Sequence, residues 1–217
     1  MTKDEAGAIA LPLFTDSAAP LTLAELEQYL ATAADLLRGS IDQADFKAYI
    51  FPLMFFKRIS DVYMEEYRKA LDESGGDHEF ASFAENHRFA IPQGSLWQDV
   101  RNRTENVGQA LVTAFREIES ANKDTLWGIF GSAAWTNKDK LSDAKLLDLI
   151  EHFSSKPLTN AAVSPDVFGQ AYEYLIKRFA DQSNKKAGEY YTPRSVVSLL
   201  VNILDPKEGE TVYDPAC

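Results

Sequence analysis

The sequence predicts a mainly α-helical chain: an N-terminal helical bundle, then the first helix and strand of an α/β domain that is cut short. Three observations predict it. Apolar residues recur at spacings of three and four from Leu23 to Phe179. Several of these runs open on Ser or Thr where a helix start needs a side-chain acceptor. Only Thr211-Val212-Tyr213, before Asp214-Pro215, reads as a strand. At 217 residues and 45% apolar content, the chain can bury a substantial core.

Taken in order, residues 1–20 are small, apolar and without a period. They read as a tail that Ile9, Leu11, Leu13 and Phe14 could dock. Thr22-Leu23-Ala24-Glu25 is a capping box opening a helix to about Leu37, with Gly39 just past its end. Ser40 to about Asp72 reads as one long central helix, apolar nearly all round and interrupted by Lys57, Arg58 and Asp61. Pro52 in its interior predicts a kink or break near residues 48–51. Its aromatic stripe is read as core rather than as a base-stacking surface.

Residues 73–77 read as a loop, 80–97 as irregular, and Trp97 to Arg103 as a short helix. Asn106 to Ala121 forms the next helix, and residues 126–135 a glycine-interrupted packed loop. A helix begins at Ser142 with Leu146, Leu149, Ile150 and Phe153 buried. Trp97, Trp127 and Trp135 are expected to pack. Pro157 to Pro165 is polar and proline-bounded, which places a boundary between a helical domain, 1–162, and a second region, 163–217. Ser164-Pro165 starts a helix to about Ala180, and residues 181–188 have the composition of a mobile loop. Thr192-Pro193 then repeats the helix start, threonine as cap and proline as first helical residue, with a stripe from Val196 to Leu204.

The net charge of −11 argues against a protein that coats nucleic acid electrostatically. A local basic set, Lys177, Arg178, Lys185, Lys186 and Arg194, is where DNA contact would fall. No basic n-region or bilayer-length apolar run is present, so a cytoplasmic protein without membrane contact is expected. The single cysteine, Cys217, excludes an intrachain disulfide. His78, His87 and His152 lack ligand spacing, and no metal site is expected.

A helix N-terminus followed about twenty residues later by a strand ending in Asp-Pro suits an anion site beside the first strand of an α/β sheet. Asp-Pro is also an ordinary turn, so the residues alone leave both readings open. The stretch GEYYTPRSVVSLLV, then DPAC after a short VY strand, resembles the modification (DNA-methyltransferase) subunit of type I restriction-modification enzymes. Residues 36–66, LLRGSIDQADFKAYIFPLMFFKRISDVYMEE, are similar to the N-terminal helical region of the same subunits.

The resemblance implies an adenine-specific transferase that uses S-adenosylmethionine to methylate N6 of adenine in double-stranded DNA. Its implied partners are a specificity subunit, a second modification subunit and a restriction subunit. It also implies that Glu189, Tyr190, Tyr191, Thr192, Pro193 and Arg194 lie along the cofactor, and that Asp214, Pro215 and Ala216 begin the loop beneath it. The family's adenine-holding NPP-aromatic motif does not occur in residues 1–217. Catalytic residues are therefore expected downstream of Cys217, and this stretch alone is expected to be inactive. Two other readings stay open: part of a single-chain restriction-methyltransferase, or a helical interaction module without enzymatic activity.

Overall fold

The computed structural model describes residues 19–182 and 192–215. The chain divides into two compact units, 1–182 and 183–217. Of the predicted tail, residues 1–18 lie outside the described set. Every regular element among the described residues is helical.

In the first unit α1, Leu23–Leu36, opens on the expected capping box. The Glu25 N–H donates to Thr22 Oγ1 at 3.3 Å, and the Thr22 N–H donates back to Glu25 Oε2 at 2.9 Å. Gly39 follows with φ of 78°, a conformation in which any Cβ would be strained.

The central helix begins later than the periodicity suggests. A 3-10 turn, Gln43–Asp45, precedes α2, Lys47–Glu73, which runs unbroken through Pro52. The predicted break is thus displaced to the start of the helix. Pro52 lies in the second turn, where the missing N–H forfeits only the bond to the carbonyl of Ala48. Leu53, Met54 and Phe56 are fully buried around it.

The short helices α3, His78–Ala81, and α4, Trp97–Arg101, flank the irregular stretch. Beyond them stand α5, Val107–Ala121, the single-turn α6, Lys123–Leu126, and α7, Asp143–Ser154. Asn106 caps α5 with its backbone in the left-handed region and without its own side chain. The cap comes from α7 instead: Asp143 accepts the Asn106 and Val107 N–H groups at 3.1 and 2.9 Å.

One core joins α1, α2, α4, α5, α7 and α8, Pro165–Gln182. Its aromatic content is packing, as expected: Phe56 meets Trp97 at 5.2 Å and Phe115 at 5.4 Å, and Trp135 meets Tyr49 at 5.0 Å. A smaller cluster of Tyr63, Met64, Tyr67, Ala70, Ala81 and Leu96 seats α3 on the far end of α2. Trp127 departs from the expectation, being 70% exposed. Gly128, at φ 81°, turns the chain directly after it, so the buried anchors of this loop are Phe130 and Trp135.

Candidate functional site

Of the residues implied to face a cofactor, Glu189, Tyr190, Tyr191 and Ala216 lie outside the described residues, as does the basic pair Lys185 and Lys186. Thr192, Pro193, Asp214 and Pro215 are all exposed and belong to the second unit. Arg194 is the first residue of α9, Arg194–Leu204.

The two Ser/Thr-Pro pairs open their helices differently. At α8 the Val167 N–H donates to Ser164 Oγ at 3.3 Å, with Pro165 as the first helical residue, as expected. At α9 the expectation is corrected. Pro193 is extended, with ψ of 139°, and is itself the N-cap, so Thr192 stands one residue outside the helix. The pyrrolidine ring fixes φ but not ψ, so proline suits either position. Pro193's carbonyl accepts the Val196 and Val197 N–H groups at 2.9 and 3.1 Å, and no side chain of the N-cap occupies the end. An uncapped N-terminus with a threonine hydroxyl beside it suits a carboxylate or phosphate oxygen.

The far end of α9 closes on Asp205 in the left-handed region. Lys207 and Glu210 then exchange backbone and side-chain bonds across a turn at Gly209. Residues 211–214 form no strand among the described residues. Val212 and Tyr213 are 77% and 86% exposed. A strand exists only through ladder bonds to a neighbour, so this local pattern cannot express itself alone. The apolar stripe of α9, from Val196 to Leu204, is likewise exposed.

The most elaborate polar construction lies in the first unit, at the segment the sequence marks as a boundary. Arg58, Asp61 and Glu65 follow one another at three and four residues, hence on one face of α2. All three reach residues 158–163. The Arg58 guanidinium donates to the carbonyls of Leu158 and Thr159 at 2.6 Å, to that of Val163 at 3.0 Å, and to Asn160 Oδ1 at 2.6 Å. Asp61 accepts the Leu158 N–H at 2.7 Å and pairs with the buried Lys57 one turn back. Glu65 accepts the Asn160 and Ala161 N–H groups at 2.8 and 2.9 Å.

Cation and anion therefore match the segment's carbonyls and amides respectively, and charge-assisted bonds of this kind are the strong ones. Burial pushes the Lys57 ammonium below its usual range, and the nearby Asp61 carboxylate opposes that shift. The sequence signal for this network is the set of charges, Lys57, Arg58 and Asp61, that interrupts the apolar run of α2.

The histidines serve separate partners: His78 meets the Tyr67 hydroxyl, His87 the Ala81 carbonyl and His152 the Tyr29 carbonyl. Among the described residues no group of three or more His, Cys, Asp or Glu is disposed to hold a metal, and no helix is long and apolar enough to cross a membrane.

A helical body of residues 19–182 and a second, smaller unit that holds α9 define an all-helical class among the described residues. Comparison with known proteins makes it specific. A family model described as the HsdM N-terminal domain matches residues 26–153, and one described as N-6 DNA Methylase matches 163–217. The chain belongs to the HsdM N-terminal domain family and corresponds to the N-terminal part of a type I restriction-modification methylase subunit.

The type I restriction enzyme MjaVIII methylase subunit of Methanocaldococcus jannaschii is 29% identical over 95% of this chain and 36% of its own length. The HindI methylase subunit of Haemophilus influenzae is 38% identical over 51% of this chain and 26% of its own length. The crystal structure of a type I restriction-modification methyltransferase subunit from Streptococcus thermophilus superposes with a TM-score of 0.65 at 27% identity. That match covers 84% of this chain and 44% of the other. The chain thus spans about a third of the length of the first of these curated relatives.

Proposed function

We propose that this chain is the helical and lead-in portion of a subunit that transfers a methyl group from S-adenosylmethionine to adenine N6 in double-stranded DNA. The subunit acts with a specificity subunit, a second modification subunit and a restriction subunit. The observation that carries the reading is the order of the two family matches along one chain, helical domain first and methylase second. They part between residues 153 and 163, which supports a functional division at 162/163.

Within this reading the α9 end receives the methionine carboxylate: Thr192 supplies a hydroxyl, while Pro193 and Arg194 open the helix. Tyr190 or Tyr191 covers the sulfonium, since aromatic faces attract cations. Glu189 lies along the same stretch, and Asp214, Pro215 and Ala216 begin the loop beneath the cofactor. Residues 211–213 pair as the first strand once neighbouring strands exist, and that sheet covers the open stripe of α9. This last point is supported by seven large apolar residues on α9, each between 41% and 69% exposed.

The test is methyl transfer by a subunit that continues past Cys217, assembled with its specificity partner. Tritiated methyl from S-adenosylmethionine should enter adenine N6 of duplex DNA, and Asp214→Ala should abolish incorporation. Label on cytosine, or none, sinks the reading. The 217-residue chain alone should bind no S-adenosylmethionine at micromolar concentration by calorimetric titration.

A further inference from the structure

Domain boundaries usually fall in segments crossed by few contacts, but the segment between the two family matches is among the most heavily bonded in the first unit. Three side chains of one α2 face bind it at every residue from Leu158 to Ala161 and again at Val163. The Leu21 N–H adds a backbone bond to the Ala162 carbonyl at 2.8 Å. Arg58 also lies 5.3 Å over the ring of Phe168, so one guanidinium engages both the segment and α8.

From there α8 is laid along α2 by rings: Phe55 meets Phe168 and Tyr172, and Phe51 meets Tyr172 at 4.6 Å and Phe179 at 6.2 Å. Ala171 and Leu175 are fully buried and Phe179 is 4% exposed. By family match, residues 165–182 belong with the methylase. By packing they belong to the helical body.

We propose that Arg58 and Glu65 are positioning residues: they clamp residues 158–163 so that α8 is carried as part of the helical body, and the segment between the two family regions does not serve as a hinge. Arg58 suits the task because its planar fork serves several carbonyls at once while its face rests on Phe168; a lysine could match neither. Glu65 takes the complementary part, accepting two successive N–H groups on its two oxygens, where a glutamine would offer one oxygen and lose one of the two bonds.

The clamp is tested on the chain itself by amide exchange. Arg58→Met and Glu65→Gln should raise exchange at Asn160 and Ala161 about tenfold or more, and raise it along α8 while α5 and α7 stay unchanged. Arg58→Lys should recover only part of the loss. A uniform rise over all helices would mark general destabilisation and overturn the proposal, as would unchanged exchange in α8.

Discussion

Gly108 offers the sharpest stability prediction. It lies in the first turn of α5, where a Cβ built on its backbone would stand 2.0 Å from the Trp135 carbonyl oxygen and 2.8 Å from its carbon. Real Cβ contacts stay beyond 3.0 Å, so Gly108→Ala requires the two backbones to part by about 1 Å. Trp135 cannot yield easily, because its ring is 2% exposed and packed edge-on against Tyr49 and Phe115. Overpacking of this kind costs about 3 kcal/mol, while replacing a helical glycine by alanine returns about 1 kcal/mol. The net of about 2 kcal/mol corresponds to a melting point lower by about 4–8 °C for a chain of this size. Thermal melts followed by far-UV circular dichroism measure it directly. A melting point equal to or above that of the parent would show that α5 and the Trp135 loop are not in contact as described.

Two further outcomes follow from buried and capping charges. Asp61→Ala removes both the acceptor of the Leu158 N–H and the partner of Lys57, and should cost about 3 kcal/mol by urea denaturation. Lys57→Met leaves the Leu158 bond in place and should cost less; the reverse order would refute this account of the network. Acid should weaken the fold through Asp143, whose carboxyl is held below its ordinary value first by the Lys138 ammonium and then by the Asn106 and Val107 N–H groups. A carboxyl depressed in the folded state stabilises above its unfolded pKa, near 3.8, and that contribution is lost as pH falls through the lower folded value. The Asp143→Asn variant should therefore lose less stability than the parent between about pH 4 and pH 2. Parallel stability curves for the two would contradict the assignment.

Helix-scale features were legible in the sequence because they depend on neighbours a few residues apart. Thr22 with Glu25, Ser142 and Ser164 all cap where the sequence puts them, since the acceptor and its N–H lie within one turn. Features that depend on distant groups were not legible. The Asn106 end of α5 is capped by a carboxylate 37 residues away, and Thr192 loses its capping role to the ψ of a proline that no local rule fixes. The strand expected at 211–213 is not formed among the described residues, where no neighbouring strand offers ladder bonds. The residues expected to face a cofactor were named from a resemblance in letters, and the structure leaves Thr192, Pro193, Asp214 and Pro215 exposed.

The charged residues of α2 show how one pattern supports two inferences. A helix buried on most sides would normally exclude Lys57, Arg58, Asp61 and Glu65, because each carries a desolvation penalty. Their presence therefore implies groups able to satisfy them, and backbone is the commonest supply of unpaired carbonyls and amides. Residues 158–163 are such a supply: six residues between two helices, offering carbonyls and N–H groups that no helix ladder uses. The penalty on α2 and the need of the loop cancel only if the two stay together. A free linker here would strip Asp61 of the Leu158 N–H and Arg58 of its carbonyl acceptors, so the same electrostatics that permit charges on this face of α2 hold α8 to the helical body.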